Sequence, residues 1–348
     1  MEETARPGKD EILLCRTNQE YRQVSQLAAA KNTGLFRHGP GDILLQSDLA
    51  ARIAAGAITV ARGLGLNADL LTGVQTNLNL LRGAVHEAGS WESFRTEFWM
   101  RLPVLMYHHV GKSKGGPFPE LTIEPIQFAQ QMQWLDENGY APITAADWLH
   151  WCNSGARLPA KPILITFDDA YDDLVRYAFP VLQEHKFPAT VFVPTAYAGR
   201  SNIWDQRKGS APIEIMTAST ISEWAGKGIE FGAHSRTHPA LDNIDPVALE
   251  DELAGSREDL EKIIDAPVVS FAYPYGNHNC KVREATGRSF RLAFTTEDGI
   301  NTLGTDLLQL RRTMVKPGQS MVDFASRVWF GHSIPENAKA RVRRVMGV

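Results

Sequence analysis

Two adjacent carboxylates, Asp168 and Asp169, end the apolar run Pro162–Phe167 (PILITF). Neighbouring anions repel, and burying both without partners is costly. A nearby cation resolves the difficulty; so does a helix cap beside a solvated partner. Further along, His234 and His238 (HSRTH) follow the run Gly228–Ala233 (GIEFGA). Their spacing puts both imidazoles on one face of a helix, or lets both reach inward from a tight loop. Each pattern is ambiguous by itself. Together, one Asp and two His make three nitrogen and oxygen ligands, the set a catalytic zinc-type site uses while keeping one position open. Such an ion brings the pKa of a water toward ~7, and the spare carboxylate can take the proton. This explains why two carboxylates stand together. Spacing leaves open which Asp is ligand and which is base. In a third segment, Ser270–Gly276 (SFAYPYG), an apolar run ends in a Pro/Gly turn whose backbone N–H groups can bind a developing oxyanion.

These residues need elements to position them. From Leu102 onward, short apolar runs alternate with amphipathic stretches. The predicted strands are 103–110, 162–167, 189–194, 228–233, 268–273, 292–296 and 308–315. The predicted helices include 126–138, 174–186, 246–264 and 320–328, the third started by Asp245 as N-cap and Pro246 in the first turn. Repeated strand–helix alternation implies a mostly parallel sheet with crossover helices. Seven strands predict an α/β fold, a closed or nearly closed (β/α) barrel, with an open doubly wound sheet as the alternative. Active sites of parallel barrels lie at strand C-termini, where the carboxylates and histidines fall. No glycine-rich phosphate or dinucleotide loop follows a strand.

Residues 1–100 read differently: Leu49–Leu66 and Asn67–Glu87 carry apolar residues at helical spacing. A mainly helical N-terminal region is expected, packing on the main domain or offering a surface to a protein partner. Residues 331–348 are expected to form a C-terminal tail or helix. The chain has 348 residues and a net charge of −4, which gives no electrostatic footprint for nucleic acid. Cys15, Cys152 and Cys280 are too far apart for a zinc cluster and odd in number for a disulfide framework. No apolar run approaches the ~20 residues of a membrane span. The start, Met-Glu-Glu-Thr, does not read as a signal peptide. A cytoplasmic location is expected for the chain as given, and an extracytoplasmic one if an export signal has been removed.

In order, TFDDAYDD, HSRTHPAL and FAYPYG resemble the motifs of the polysaccharide deacetylases of carbohydrate esterase family four. The likeness runs from about Arg101 to Trp329 and includes FPATVFVP and the IWD beginning at Ile203. It implies a distorted (β/α) barrel at 101–330 and one divalent metal ion, zinc by default with cobalt or nickel as alternatives. It also implies hydrolysis of N-acetyl groups on an amino-sugar oligo- or polysaccharide. By motif, Asp168 is similar to the family's base, Asp169, His234 and His238 to its metal ligands, and the Tyr275 N–H to its oxyanion donor.

Three departures carry information. The first motif usually ends in Gly, and here Ala170 stands there; positive φ at that position would cost Ala roughly 1 kcal/mol. The third motif often holds an Arg that braces the base, and here the residue is Ala272. Arg311 or Arg312 on a later strand is the replacement candidate, with Arg311 placed among substrate-binding residues. FAYPYG resembles the branch of poly-β-1,6-N-acetylglucosamine deacetylases. Many members of the family carry a general-acid His late in the domain, and the late strand here has none; the resemblance to this branch, which begins with a strand carrying an early His, implies His108 of VLMYHHV as the general acid, with His109 facing the opposite side of a regular strand. Trp204 and Tyr275 are candidate sugar-stacking surfaces. Alternatives are a metal-dependent hydrolase of a non-sugar amide or imide, and a non-catalytic glycan-binding or assembly protein. A two-carboxylate glycosidase is disfavoured, because its acid and base stand ~5–9 Å apart across a sugar.

Overall fold

The computed structural model describes residues 101–112, 118–154, 157–302 and 304–333. The expectations for residues 1–100, and for the tail beyond Ser333, lie outside these. Ten strands are described: β1 (Val104–Tyr107), β2 (His109–Val110), β3 (Thr122–Ile123), β4 (Ala141–Ile143), β5 (Pro162–Phe167), β6 (Thr190–Val193), β7 (Glu230–Ala233), β8 (Ser270–Ala272), β9 (Leu292–Phe294) and β10 (Thr313–Met314). The main sheet has the order β10-β1-β5-β6-β7-β8-β9, every pair parallel, with β4 added alongside β5. A parallel bridge between Phe294 and Leu310 brings the segment leading into β10 against β9. The same short stretch therefore touches β9 at one end and β1 at the other, as a distorted barrel requires.

Helices cover the sheet: α1 (Pro125–Glu137), α2 (Ala145–Ser154), α3 (Asp173–Tyr177), α4 (Phe179–His185), α5 (Ile203–Gln206), α6 (Ala218–Ala225), α7 (Pro246–Glu250), α8 (Ser256–Ile264), α9 (Cys280–Ser289) and α10 (Met321–Phe330). Because helices cover the strands, β5 reads PILITF without alternation, and all its residues are buried. Phe128, Met132, Phe167, Phe179, Val191, Phe231 and Phe271 share one continuous core. Among the described residues, no helix is long and apolar enough to cross a membrane.

Most predicted bounds moved by a few residues, and four elements were broken or cut short. The run 103–110 is two strands, and His108 sits at the break. The run 308–315 keeps only β10 and the Leu310 bridge. The helix expected over 174–186 is divided at Ala178 into α3 and α4, and Pro180 begins the second as a first-turn residue. The helix expected over 246–264 is interrupted by a π-helical turn, Asp251–Gly255. Its start is as expected: the Asp245 carboxylate accepts from the Val247 and Ala248 N–H groups.

Candidate active site

Parallel register sets the site at the strand C-termini. Tyr107 pairs with Phe167, and Val193 with Ala233. The next residues, His108, Asp168 and His234, therefore leave the sheet on the same side. Backbone bonds hold these exits: Asp168 N–H donates to the Tyr107 carbonyl at 3.0 Å and His234 N–H to that of Val193 at 2.9 Å.

The two carboxylates face different partners. Arg312, with no solvent exposure, donates from Nη1 to Asp168 Oδ1 at 2.6 Å and from Nη2 to Oδ2 at 2.8 Å. Burial alone would raise the Asp168 pKa, but the Arg312 guanidinium, helped by His234 and His108, holds it well below the usual carboxylate range. Asp169 has no such cation. Burial first, then the charges of Asp168 and Asp205, push its carboxyl well above the ordinary value.

Asp169 Oδ1 is buried without a hydrogen-bond partner. It lies 3.6 Å from His234 Nε2 and 3.4 Å from His238 Nε2, and the two imidazole nitrogens are 3.2 Å apart. Three ligands of a tetrahedral ion at about 2.0–2.1 Å stand about 3.3–3.4 Å from one another, so this triangle has the edge a small divalent cation needs. His234 Nδ1 sits 2.7 Å from the Ala272 carbonyl, which only accepts; Nδ1 therefore carries the proton and Nε2 presents its lone pair. Burial lowers the pKa of both imidazoles, most strongly for His238, where the neighbouring His234 adds to the effect. Neutral histidines are the form that ligates. Donor types, spacing, the orphaned oxygen and the protonation states all fit a divalent ion, and among the described residues this is the one such cluster of three His, Cys, Asp or Glu side chains.

His108 joins the site, with Nε2 3.9 Å from Asp168 Oδ2. Burial, countered in part by the Asp168 charge, lowers its imidazole pKa to about 4. His109 faces the other way, bonding Asp173 through Nδ1 at 2.8 Å and stacking on Tyr171. Tyr275 stands at the rim, 41% exposed, edge-on to His238, with Lys208 Nζ 4.2 Å from its ring centroid. Its φ is 59°, the left-handed region. Asp169, Ala170, Ser235 and His238 share that region, while the two further non-glycine cases among the described residues, Lys186 and Asp265, cap helices. Each costs of order 1–2 kcal/mol, and this strain gathers at and beside the residues of the candidate site.

Two assignments are corrected. Trp204 is no open sugar platform: it is 7% exposed and stacks on His238 with ring centroids 4.5 Å apart, because α5 folds it against that imidazole. Arg311 does not reach the site. Its half-exposed side chain lies 3.9 Å from Glu297, while the next residue, Arg312, turns inward. Tyr171 and Asp205 were missed: the Tyr171 hydroxyl donates to Asp205 Oδ2 at 3.4 Å, and burial followed by the charges of Asp169 and Asp205 pushes its pKa well up. Their only sequence signal was membership of TFDDAYDD and IWD.

Comparison with known proteins finds polysaccharide deacetylases that are similar in sequence and fold. The polysaccharide deacetylase family profile matches residues 155–289. A solved polysaccharide deacetylase from Bacillus cereus is 30% identical, over 66% of this chain and 69% of its own, with a TM-score of 0.57. A Streptococcus pyogenes deacetylase solved in complex with acetate is 26% identical over 64% of this chain and 95% of its own, with a TM-score of 0.55. The poly-β-1,6-N-acetyl-D-glucosamine N-deacetylase of Staphylococcus aureus is 24% identical over 195 residues, covering 50% of this chain and 64% of that protein.

Proposed function

The chain belongs to the polysaccharide deacetylase family, and from that premise we propose that it hydrolyses N-acetyl groups of a poly- or oligosaccharide, releasing acetate and a free amino sugar. The observation that carries the reading is the division of labour between adjacent carboxylates: Asp168 clamped by Arg312, Asp169 grouped with two neutral histidines.

Asp169, His234 and His238 would hold one divalent ion, zinc or else cobalt or nickel, which supplies Lewis acidity for activating water and polarising an amide carbonyl. Asp168, kept ionised and aimed by Arg312, accepts the proton of the attacking water. The backbone N–H of Tyr275 donates to the oxygen that gains charge. His108 delivers a proton to the departing nitrogen. At neutral pH its resting imidazole is neutral, so it must first gain that proton, and Asp168, 3.9 Å away, is the nearest carrier. The exposed Tyr275 ring offers the sugar an apolar face. The Staphylococcus relative and the FAYPYG motif favour β-1,6-linked N-acetylglucosamine as substrate.

The test is acetate release from β-1,4- and β-1,6-linked N-acetylglucosamine oligomers by metal-stripped protein, before and after addition of Zn²⁺, Co²⁺ or Ni²⁺. Metal-restored release is expected, faster on the β-1,6 series. No release with any metal bound would move the assignment to a non-sugar amide or a binding role. In the same assay Asp168→Asn is expected to keep its metal and lose at least ~10²-fold in rate.

A further inference from the structure

Glu252 belongs to the π-helical turn Asp251–Gly255 rather than to either flanking helix, and it is buried. Its Oε2 accepts from the backbone N–H of Arg236 at 2.7 Å and of Thr237 at 2.8 Å, and its Oε1 takes the Thr237 hydroxyl. One carboxylate thus collects every donor of the two residues at the centre of the loop between His234 and His238, apart from the Arg236 side chain. That side chain is held by the same helical unit: Nε reaches Asp259 Oδ2 and Nη1 reaches Asp251 Oδ1, both at 2.8 Å. A Cβ on Gly255 would stand 2.7 Å from Arg236 Cδ, so the glycine makes room for it. The loop needs holding, since Ser235 and His238 both have positive φ, 62° and 57°. A turn that inserts an extra residue into a helix re-aims the side chains it carries, and such turns gather at functional sites.

We propose that Glu252 is a positioning residue for the metal centre: it clamps the 235–237 backbone in its strained form and so sets the spacing of the His234 and His238 nitrogens. The inference rests on the metal-site reading above, and its test reads metal affinity rather than turnover. A control carboxylate exists on the opposite end of the strand that leads to His234. Glu230, also well covered, accepts from the Ala145 and Ala146 N–H groups and from the Thr190 hydroxyl, the same donor types, but fastens α2 instead of the loop.

Full-length wild type, Glu252→Ala, Glu252→Gln and Glu230→Ala would be stripped of metal, then titrated with Co²⁺ against a chromophoric chelator, with a thermal melt of each. Glu252→Ala is expected to bind Co²⁺ about 10–100-fold more weakly, the usual effect of removing an outer support of a metal ligand. Glu252→Gln is expected to stay within about 3-fold, because its amide oxygen can take the two N–H groups while its NH₂ faces the Thr237 hydroxyl. Glu230→Ala should lower the melting temperature and leave Co²⁺ affinity unchanged. Unchanged affinity in Glu252→Ala, equal losses in Glu252→Ala and Glu230→Ala, or a Gln variant as weak as Ala would each overturn the clamp. If Glu252→Ala does not fold, Glu252→Asp, one methylene too short, takes its place with the same expectation. A wild type that binds no Co²⁺ overturns the metal-site reading itself, and the clamp with it.

Discussion

At the scale of single residues, the site is a set of charges given different surroundings. Asp168 and Asp169 are chain neighbours, yet one is paired with a buried guanidinium while burial and nearby acid dominate at the other, beside two neutral imidazoles. His108 responds to the same burial. Its ordinary pKa of 6.5 applies to the unfolded chain, and the folded value is about 4. Between those values the unfolded state binds a proton that the folded state does not, so stability falls as pH drops through that window. His234 and His238 are shifted in the same direction and add to it. In metal-stripped protein, melting temperature against pH should therefore decline on the acid side of 6.5, and His108→Asn should flatten part of the decline. Ala170 offers a second test. Its φ is 51°, the position where the family resemblance leads one to expect Gly. Substitution by Gly relieves about 1–2 kcal/mol of strain. It also loses a buried methyl worth ~0.8 kcal/mol and adds about 0.4–1 kcal/mol of unfolded-state entropy. These nearly cancel, so Ala170→Gly should change unfolding free energy in urea by less than about 1 kcal/mol. That balance accounts for Ala being accommodated there.

At the scale of elements, two pieces distant in sequence complete what β5 begins. Arg312 immediately precedes β10, which pairs with β1, which pairs with β5. Its guanidinium thus reaches Asp168 from two strands away and also donates through Nε to the Thr295 carbonyl beyond β9 at 2.9 Å. It braces Asp168, the proposed base, and ties the closing segment of the barrel to both neighbours. Arg312→Met leaves Asp168 as an uncompensated buried charge, which should cost about 3–5 kcal/mol in denaturant unfolding. Arg312→Lys keeps the charge but loses the two-pronged bond. It should be destabilised less, with kcat falling more than KM changes, because the base is no longer aimed.

At the scale of the whole molecule, the barrel brings the residues that follow β1, β5, β7 and β8 and the segment before β10 to one site. A bound ion would then stabilise the fold as well as the chemistry. With free metal at 100 times its dissociation constant the linkage is about 2.7 kcal/mol. A chelator should lower the melting temperature and re-added Zn²⁺ should restore it, while Asp169→Asn should narrow the difference between the two conditions.

Much of this was legible in the sequence. The strand ends carrying Asp168, Asp169, His234 and His108 follow from apolar runs bounded by turn residues, because a parallel strand covered by helices must be apolar along its length. One Asp and two His as a candidate ligand set follow from residue type, the choice of Asp169 over Asp168 follows only from the family resemblance, and the alternation of β-strand side chains separates His108 from His109. What the sequence did not decide is which of two neighbours turns inward when no regular strand spans them. Arg311 and Arg312 precede a strand only two residues long, and packing between β1 and β9 selects Arg312. Likewise Trp204 reads as an aromatic wall or as core with equal ease until α5 is seen to bury it under His238. Glu252 reads as one more polar position on a helix until a π turn points it at a loop 15 residues back. Local patterns are written by the period of a strand or helix; partners from distant segments are chosen only when the tertiary fold makes burial and hydrogen bonding compete for the same space.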